Sequence, residues 1–374
     1  MPERVTTRLP LRADLVGEQP YGAPQLDVAH LLNVNENPYP PPTEVVEDIA
    51  AAVRQAAGTL NRYPDRDFLG LRADLAAYLA AESAATGLSA EHIWAANGSN
   101  EVMLHLLLAF GGPGRTVMSF APTYSMYPEY ARDSLTTWKA GTRRADFSVD
   151  VPGAIEQIRS ERPSVVLLAS PNNPTGTALD LADVRALAAA TTDSGPDGGA
   201  TVLVIDEAYA EFRREGRPSA VTLLGEFAHL AVARTMSKAF ALAGARVGYL
   251  AAAPELVDWL RVVRLPYHLS AVTQAVARAA LRHRDVLQAQ VADLRGRRDE
   301  TVTWLRERGL EVADSDANFV LFGRYPDRHQ VWQGLLDRGV LIRETGPQGY
   351  LRVSIGTGED MAAFRGALEE VTGR

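Results

Sequence analysis

At 374 residues, with 46% hydrophobic and 22% charged residues, the chain has the makeup of a globular enzyme and the length for a large domain with a smaller companion. The absence of cysteine excludes disulfides, thiolate metal sites and a catalytic thiol, and a net charge of −8 gives no electrostatic footprint for nucleic acid. No apolar run reaches the length of a membrane span and residues 1–10 lack the apolar core of a signal peptide, so the chain reads as cytoplasmic.

The first fifty residues are rich in proline and asparagine. Residues 19–24 (Gln-Pro-Tyr-Gly-Ala-Pro) read as an extended arm, because a residue before proline avoids the α region. Residues 33–42 carry turn and polyproline chemistry. Thr43 is expected to cap a helix whose apolar stripe is Val45, Val46, Ile49 and Val53. A loop at 61–65 (Asn-Arg-Tyr-Pro-Asp) precedes a helix over 68–81. Beyond it, short apolar strands at 93–96, 115–120, 165–169, 201–205, 230–233 and 247–252 are interleaved with helices at 101–110 and 181–190. The solvated stretch 192–199 carries no functional pattern.

This alternation predicts an α/β fold, a mostly parallel sheet covered by helices on both faces. After about residue 266 the texture changes. Helices at 273–283 and 285–308, a strand at 318–322, a helix at 330–338, strands at 340–343 and 350–355 and a last helix from 359 predict a smaller α+β unit. The expected division is an N-terminal arm (1–45), a large domain (46–265) and a small C-terminal domain (266–374). Ligands of open α/β sheets bind beyond the carboxyl ends of the strands. The polar motifs of this chain fall there, each just after an apolar run.

Lysine occurs only at Lys139 and Lys238, and arginine supplies the other 36 of the 38 basic residues. Unlike arginine, lysine releases a proton within reach of neutral pH and attacks carbonyls to form a Schiff base. Lys238 stands in Thr-Met-Ser-Lys-Ala-Phe (235–240), with Arg246 eight residues on, which suits an amine nucleophile beside an anion; a snorkelling lysine is the bland alternative. Asp206 closes an apolar strand, where a carboxylate needs a cation or strong donor. It serves either as a helix cap, with Glu207 exposed, or as the partner of a protonated ring nitrogen, with Tyr209 one turn away.

Asn173 lies in a turn-like Asn-Pro-Thr-Gly and can instead donate to a phenolate-type oxygen. Ser99 and Asn100 open a helix whose free N–H groups suit a phosphate, or simply cap it. Tyr124 is either a core aromatic or a ring stacked on a planar ligand. Arg343 and Arg352, on two strands expected to be adjacent, are either solvated or a clamp for an anion. The seven histidines show no ligand spacing, so no metal site is expected.

Together, Asn-Pro-Thr-Gly (173–176), Asp-Glu-Ala-Tyr (206–209) and Thr-Met-Ser-Lys-Ala-Phe with Arg246 resemble the fold type I pyridoxal-phosphate enzymes of the aspartate aminotransferase superfamily, from about Leu31 to the C-terminus. Within it, Pro-Tyr-Gly-Ala-Pro (20–24), Leu-Asn-Val-Asn-Glu-Asn-Pro-Tyr-Pro (32–40), Arg-Tyr-Pro-Asp (62–65), Ala-Asn-Gly-Ser-Asn-Glu (96–101), Ser-Asp-Ala-Asn-Phe-Val (315–320) and Leu-Ile-Arg (341–343) are similar to the histidinol-phosphate aminotransferase family. Asn100 stands where aspartate is frequent in that family.

The resemblance implies that Lys238 is the Schiff-base lysine and proton carrier, that Asp206 keeps the pyridine nitrogen protonated, and that Tyr209 and Asn173 bond the ring oxygen. It implies Tyr124 stacked on the ring, and Ser99, Asn100, Thr235, Ser237 and Arg246 around the phosphate. Tyr63 is expected to reach the phosphate of a partner subunit, making the enzyme a homodimer. Arg352, assisted by Arg343, would bind the anionic end of the substrate beneath an arm carrying Tyr21. The implied reaction converts L-histidinol phosphate and 2-oxoglutarate to imidazole-acetol phosphate and L-glutamate. An aromatic amino-acid aminotransferase, a phospho-amino-acid decarboxylase and a non-catalytic pyridoxal-phosphate-binding regulator share parts of the pattern.

Overall fold

A computed structural model describes residues 9–373; the reading of residues 1–8 lies outside them. After the N-terminal arm come β1 (His30–Leu31) and α1 (Thr43–Ala57). Thr43 is not the cap. Pro42 holds that position with ψ 154°, so the extended proline geometry runs up to the helix, and no side chain caps it. α2 (Leu69–Ser83), β2 (Ile93–Ala96) and α3 (Ser99–Phe110) follow. Then come β3 (Thr116–Ala121), α4 (Tyr127–Asp133), β4 (Thr137–Thr142) and α5 (Val151–Glu161). β5 (Val165–Ala169), α6 (Leu181–Ala190), β6 (Val202–Asp206), β7 (Leu230–Thr235), β8 (Gly248–Ala252) and α7 (Pro254–Val263) complete the first part.

The seven strands run in the order β2-β8-β7-β6-β5-β3-β4, parallel except for β8, which pairs antiparallel with both neighbours. β2, β5, β6, β7 and β8 are buried at every position, which is why each reads as an unbroken apolar run. β4 is the exception and was not expected. It lies at the sheet edge, mostly exposed, and carries Lys139 and Gly141 where an inner strand would be apolar. α5 is masked by Pro152 and Gly153. α7, also unexpected, does show its signal: Pro254 in the first turn, then buried Leu256, Val257 and Leu260.

The last third holds α8 (Ala271–Arg282), α9 (Arg284–Glu307), β9 (Glu311–Val312), β10 (Phe319–Gly323), α10 (Arg328–Leu336), β11 (Val340–Leu341), β12 (Leu351–Ser354) and α11 (Gly358–Thr372). β10 pairs antiparallel with β9 and β12. β11 instead pairs in parallel with β1, so the start of the chain is tied into this unit. Arg343 therefore lies beyond β11 rather than on a strand neighbouring β12, and meets Arg352 through an isolated antiparallel bridge.

Beneath the sheet edge sits a buried ion cluster. The Arg234 guanidinium lies 2.8 Å from Glu207, 3.0 Å from Glu211 and 3.1 Å from Glu82, while Arg213 reaches Glu82 at 3.1 Å. Glu207 is 3% exposed, which corrects the exposed position considered for it. Its Oε2 also accepts from the Ser219 hydroxyl. This cluster ties the segment that follows β6 to β7 and to the end of α2. Arg234→Ala leaves buried carboxylates unpaired and should cost about 3–5 kcal/mol in chemical denaturation. Arg144→Ala, which breaks only the exposed pair with Asp150, should change stability by less than about 1 kcal/mol; equal losses would overturn this account.

Candidate active site

At the carboxyl edge of the sheet a cavity of about 440 Å³ opens between the two parts of the chain. β7 delivers Thr235, Ser237 and Lys238 to it. The Lys238 ammonium donates to the carbonyl of Val34 at 3.0 Å. Burial, with Arg352 nearby, pushes its pKa down to about 8, so about a tenth of the amine is free at pH 7, far more than for an ordinary lysine. Its place in the cavity wall sets aside the snorkelling alternative.

β6 delivers Asp206, whose Oδ2 accepts from the Tyr127 hydroxyl at 3.0 Å and whose Oδ1 accepts from the N–H of Ala208 at 3.2 Å. Burial pushes this carboxyl up to about 6. No cation pairs with it among the described residues, although it lines the cavity. It is thus ionised near neutral pH, poorly solvated, and facing a space where a positive charge would stabilise it.

One end of the cavity is built for an anion. α3 starts at Ser99, with its N-terminal N–H groups unpaired within the helix. Because β8 runs against its neighbours, its first residue, Gly248, lies at this same edge. A Cβ at Gly248 would stand 2.1 Å from the Ser99 nitrogen, and one at Gly98, whose φ is +89°, would stand 2.4 Å from a terminal nitrogen of Arg246. Only glycines allow this approach. Ser237 lies 3.0 Å from the Thr235 hydroxyl. Asn100 accepts from the Tyr130 hydroxyl through Oδ1 at 2.8 Å, which leaves its NH2 end free. Ser99, Asn100, Thr235, Ser237 and Arg246 all line the cavity.

The other end carries Tyr21, Tyr124, Asn173, Tyr209, Arg343 and Arg352. Arg352 donates to Asn173 Oδ1 at 2.5 Å and to the Asn33 carbonyl at 2.8 Å, while its Nε is buried without a partner. Burial pushes its pKa down to about 10, so it stays charged at neutral pH. Arg343 donates to the Gly22 carbonyl at 3.4 Å, and the Tyr21 hydroxyl lies 3.2 Å from Ser125, which holds the arm over this end.

Of the residues expected at a site, Tyr63 alone lies outside the cavity. It is 79% exposed and stacks on Tyr267 with ring centroids 4.4 Å apart. Tyr127, Tyr130, Asn33, Val34 and Asn35 were not singled out from the sequence. Tyr127 was legible only as the end of the loop at 121–127 that carries Tyr124, and the arm residues only as a turn motif. Their roles arise from partners far along the chain.

Residues 29–368 match the family described as aminotransferase class I and II. The chain is 59% identical to histidinol-phosphate aminotransferase 3 of Burkholderia lata, covering 97% of this chain and 96% of the relative. It is 58% identical to histidinol-phosphate aminotransferase of Thermobifida fusca, covering 98% and 96%. Its fold is similar to the crystal structure of histidinol-phosphate aminotransferase from Sinorhizobium meliloti in complex with pyridoxal-5'-phosphate, with a TM-score of 0.79, 26% identity, and 92% and 91% of the two chains covered.

The buried amine gives a direct test. In the ligand-free chain, acylation of Lys238 by a small amine-directed reagent, read by peptide mass spectrometry, should rise with pH around a midpoint near 8. A midpoint near the ordinary lysine value of about 10.4 would refute the argument from burial.

Proposed function

The chain belongs to the class I and II aminotransferases, and from that premise we propose that it is a pyridoxal-phosphate enzyme transferring the amino group of L-histidinol phosphate to 2-oxoglutarate in L-histidine biosynthesis. The observation that carries the cofactor is Asp206, a buried carboxylate facing the cavity with no cation among the described residues to answer it. The glycine-lined approach of Ser99 and Arg246 fits the phosphate. Bound pyridoxal phosphate supplies an electron sink, which takes up the electron pair left when a substrate Cα–H bond breaks.

In this reading Asp206 presents its negative charge to the pyridine nitrogen. Ser99, Asn100, Thr235, Ser237 and Arg246 would hold the phosphate, Tyr124 would lie against the ring, and Tyr209 with Asn173 would meet the ring oxygen. The Lys238 amine, tuned by burial to about 8, would hold the cofactor and, once released by the incoming substrate amine, would carry the proton taken from the substrate Cα. Arg352, assisted by Arg343, binds the anionic end of the substrate. Histidinol phosphate presents a phosphate there and an amino acid a carboxylate, and guanidinium groups suit both because the sign of charge is unchanged. The arm through Tyr21 excludes water.

We further propose that residues 46–265 form the cofactor-binding domain, 266–374 the smaller domain and 1–45 an arm allied to it; the pairing of β1 with β11 supports this last point. A homodimer accounts for the exposure of Tyr63, Trp259, Val262 and Leu265 in the single chain, and in it Tyr63 would extend to the partner's phosphate site. No helix among the described residues is long and apolar enough to cross a membrane. A cysteine-free chain acting on small metabolites fits the cytoplasm.

Steady-state rates should give a higher kcat/KM for histidinol phosphate than for phenylalanine; the reverse order would make the chain an aromatic aminotransferase. Arg352→Ala should lower kcat/KM for histidinol phosphate by about 10- to 100-fold, the value of one or more charge-assisted hydrogen bonds. Sedimentation velocity should return twice the chain mass of 40.5 kDa, with Val262→Asp shifting the species toward a single chain; a monomeric wild-type enzyme with full activity would end the assignment to Tyr63.

A further inference from the structure

Two side-chain amides converge on the hydroxyl oxygen of Tyr209, and each is held the same way round. The Asn173 NH2 group lies 3.5 Å from that oxygen, and its other end, Oδ1, accepts from Arg352. Arg352 has donors only, so this amide has no freedom to turn its oxygen toward Tyr209. The Asn35 NH2 group donates to the Tyr209 hydroxyl at 3.1 Å. Its Oδ1 accepts from the Ser354 hydroxyl at 2.9 Å, and Ser354 in turn accepts from the Asn35 N–H at 2.9 Å. Asn318 clamps the Asn35 carbonyl at 3.1 Å.

Asn35 is 1% exposed and has a φ of +56°, a left-handed conformation that asparagine adopts more readily than most residues. The phenol oxygen is therefore occupied as an acceptor from two sides. Its own proton has no acceptor among the described residues, and Tyr209 lines the cavity. Burial raises the phenol pKa, and Arg352 and the Asn35 amide pull it back.

We infer that Asn35 is a positioning residue that fixes Tyr209 as a hydrogen-bond donor into the cavity and couples that proton to β12, the strand carrying both Arg352 and Ser354. The inference rests on the pyridoxal-phosphate reading, in which the recipient is the ring oxygen of the cofactor. The substrate's anion site and the ring-oxygen site are then one hydrogen-bonded unit, running from Arg352 through Asn173 and from Ser354 through Asn35 to the same phenol.

The test is a spectrophotometric pH titration of the visible absorbance of the cofactor-loaded protein. A hydrogen bond donated by Tyr209 disperses negative charge on the ring oxygen. A weaker donor leaves more charge there to hold the chromophore's proton, so its titration moves to higher pH. Asn35→Gly keeps the left-handed backbone and removes the amide; the midpoint should rise by about half a unit to one unit, the worth of one hydrogen bond. Asn35→Asp keeps the shape but offers only acceptors, drawing the Tyr209 proton away from the cavity, and should rise further. The other groups facing Tyr209, namely Asp206, Arg352, Tyr21 and Tyr124, are unchanged in both.

Wild-type midpoints in both variants would overturn the inference and reduce Asn35 to a backbone role. If Asn35→Gly does not fold, Ser354→Ala frees the amide to rotate while retaining it. It should raise the midpoint in the same direction, and no rise would count equally against the inference. A wild-type protein that takes up pyridoxal phosphate without any visible band would sink the cofactor reading instead, a separate outcome.

Discussion

Asp206 ends a strand whose every residue is buried, and burial pushes its carboxyl up to about 6. A charge in that position is sustained by two donors, Tyr127 and the N–H of Ala208, and by whatever cation enters the cavity in front of it. Much of the surrounding architecture keeps this carboxylate where it is. The next residue, Glu207, is anchored from behind by Arg234, Arg213 and Ser219, so the strand end is fixed on both sides of the sheet edge. Removing a cation from that cluster would leave buried negative charges close to Asp206, while the cluster itself adds little net stability over a packed apolar core. Its value lies in geometry.

The two ends of the cavity are specified by different physics. The anion end depends on close backbone approach, made possible where the antiparallel β8 begins beside the start of α3 and glycine stands at both contacts. The opposite end depends on side-chain polarity: two amides, an arginine and a serine set the direction of one phenol proton. The proposed reaction, in which a phosphorylated amine and an amino acid use one cavity in turn, requires a constant first end and a second end that takes different anions.

Much of the site was legible in the sequence for a single reason. Parallel strands buried on both faces read as apolar runs, and Asp206, Asn173 and Lys238 each stand just past one. The edge strand β4 was not legible, because an edge needs no continuous apolar run and Lys139 and Gly141 break it. The burial of Glu207, which rules out the exposed position in the helix-cap alternative, follows from partners such as Arg234 and Ser219, which lie in other elements. Asn35 was visible only as part of a turn. Its partner Ser354 is 319 residues away, and no local pattern carries that pairing. Thr43 shows the limit of a local rule, since a threonine before an apolar stripe yields to the proline ahead of it.

The hydrogen bond from Lys238 to the Val34 carbonyl joins the reactive amine to the arm by a route other than substrate. When the amine is drawn into the cavity, that carbonyl loses its donor, and the segment from Asn33 to Glu36 is held by fewer bonds. Thermodynamic linkage makes the relation reciprocal. Whatever orders the arm at Val34 holds the lysine in reserve, and whatever engages the lysine loosens the arm. The coupling is as large as that one hydrogen bond, because Arg352, Ser354 and Asn318 hold Asn33 and Asn35 whatever the amine does.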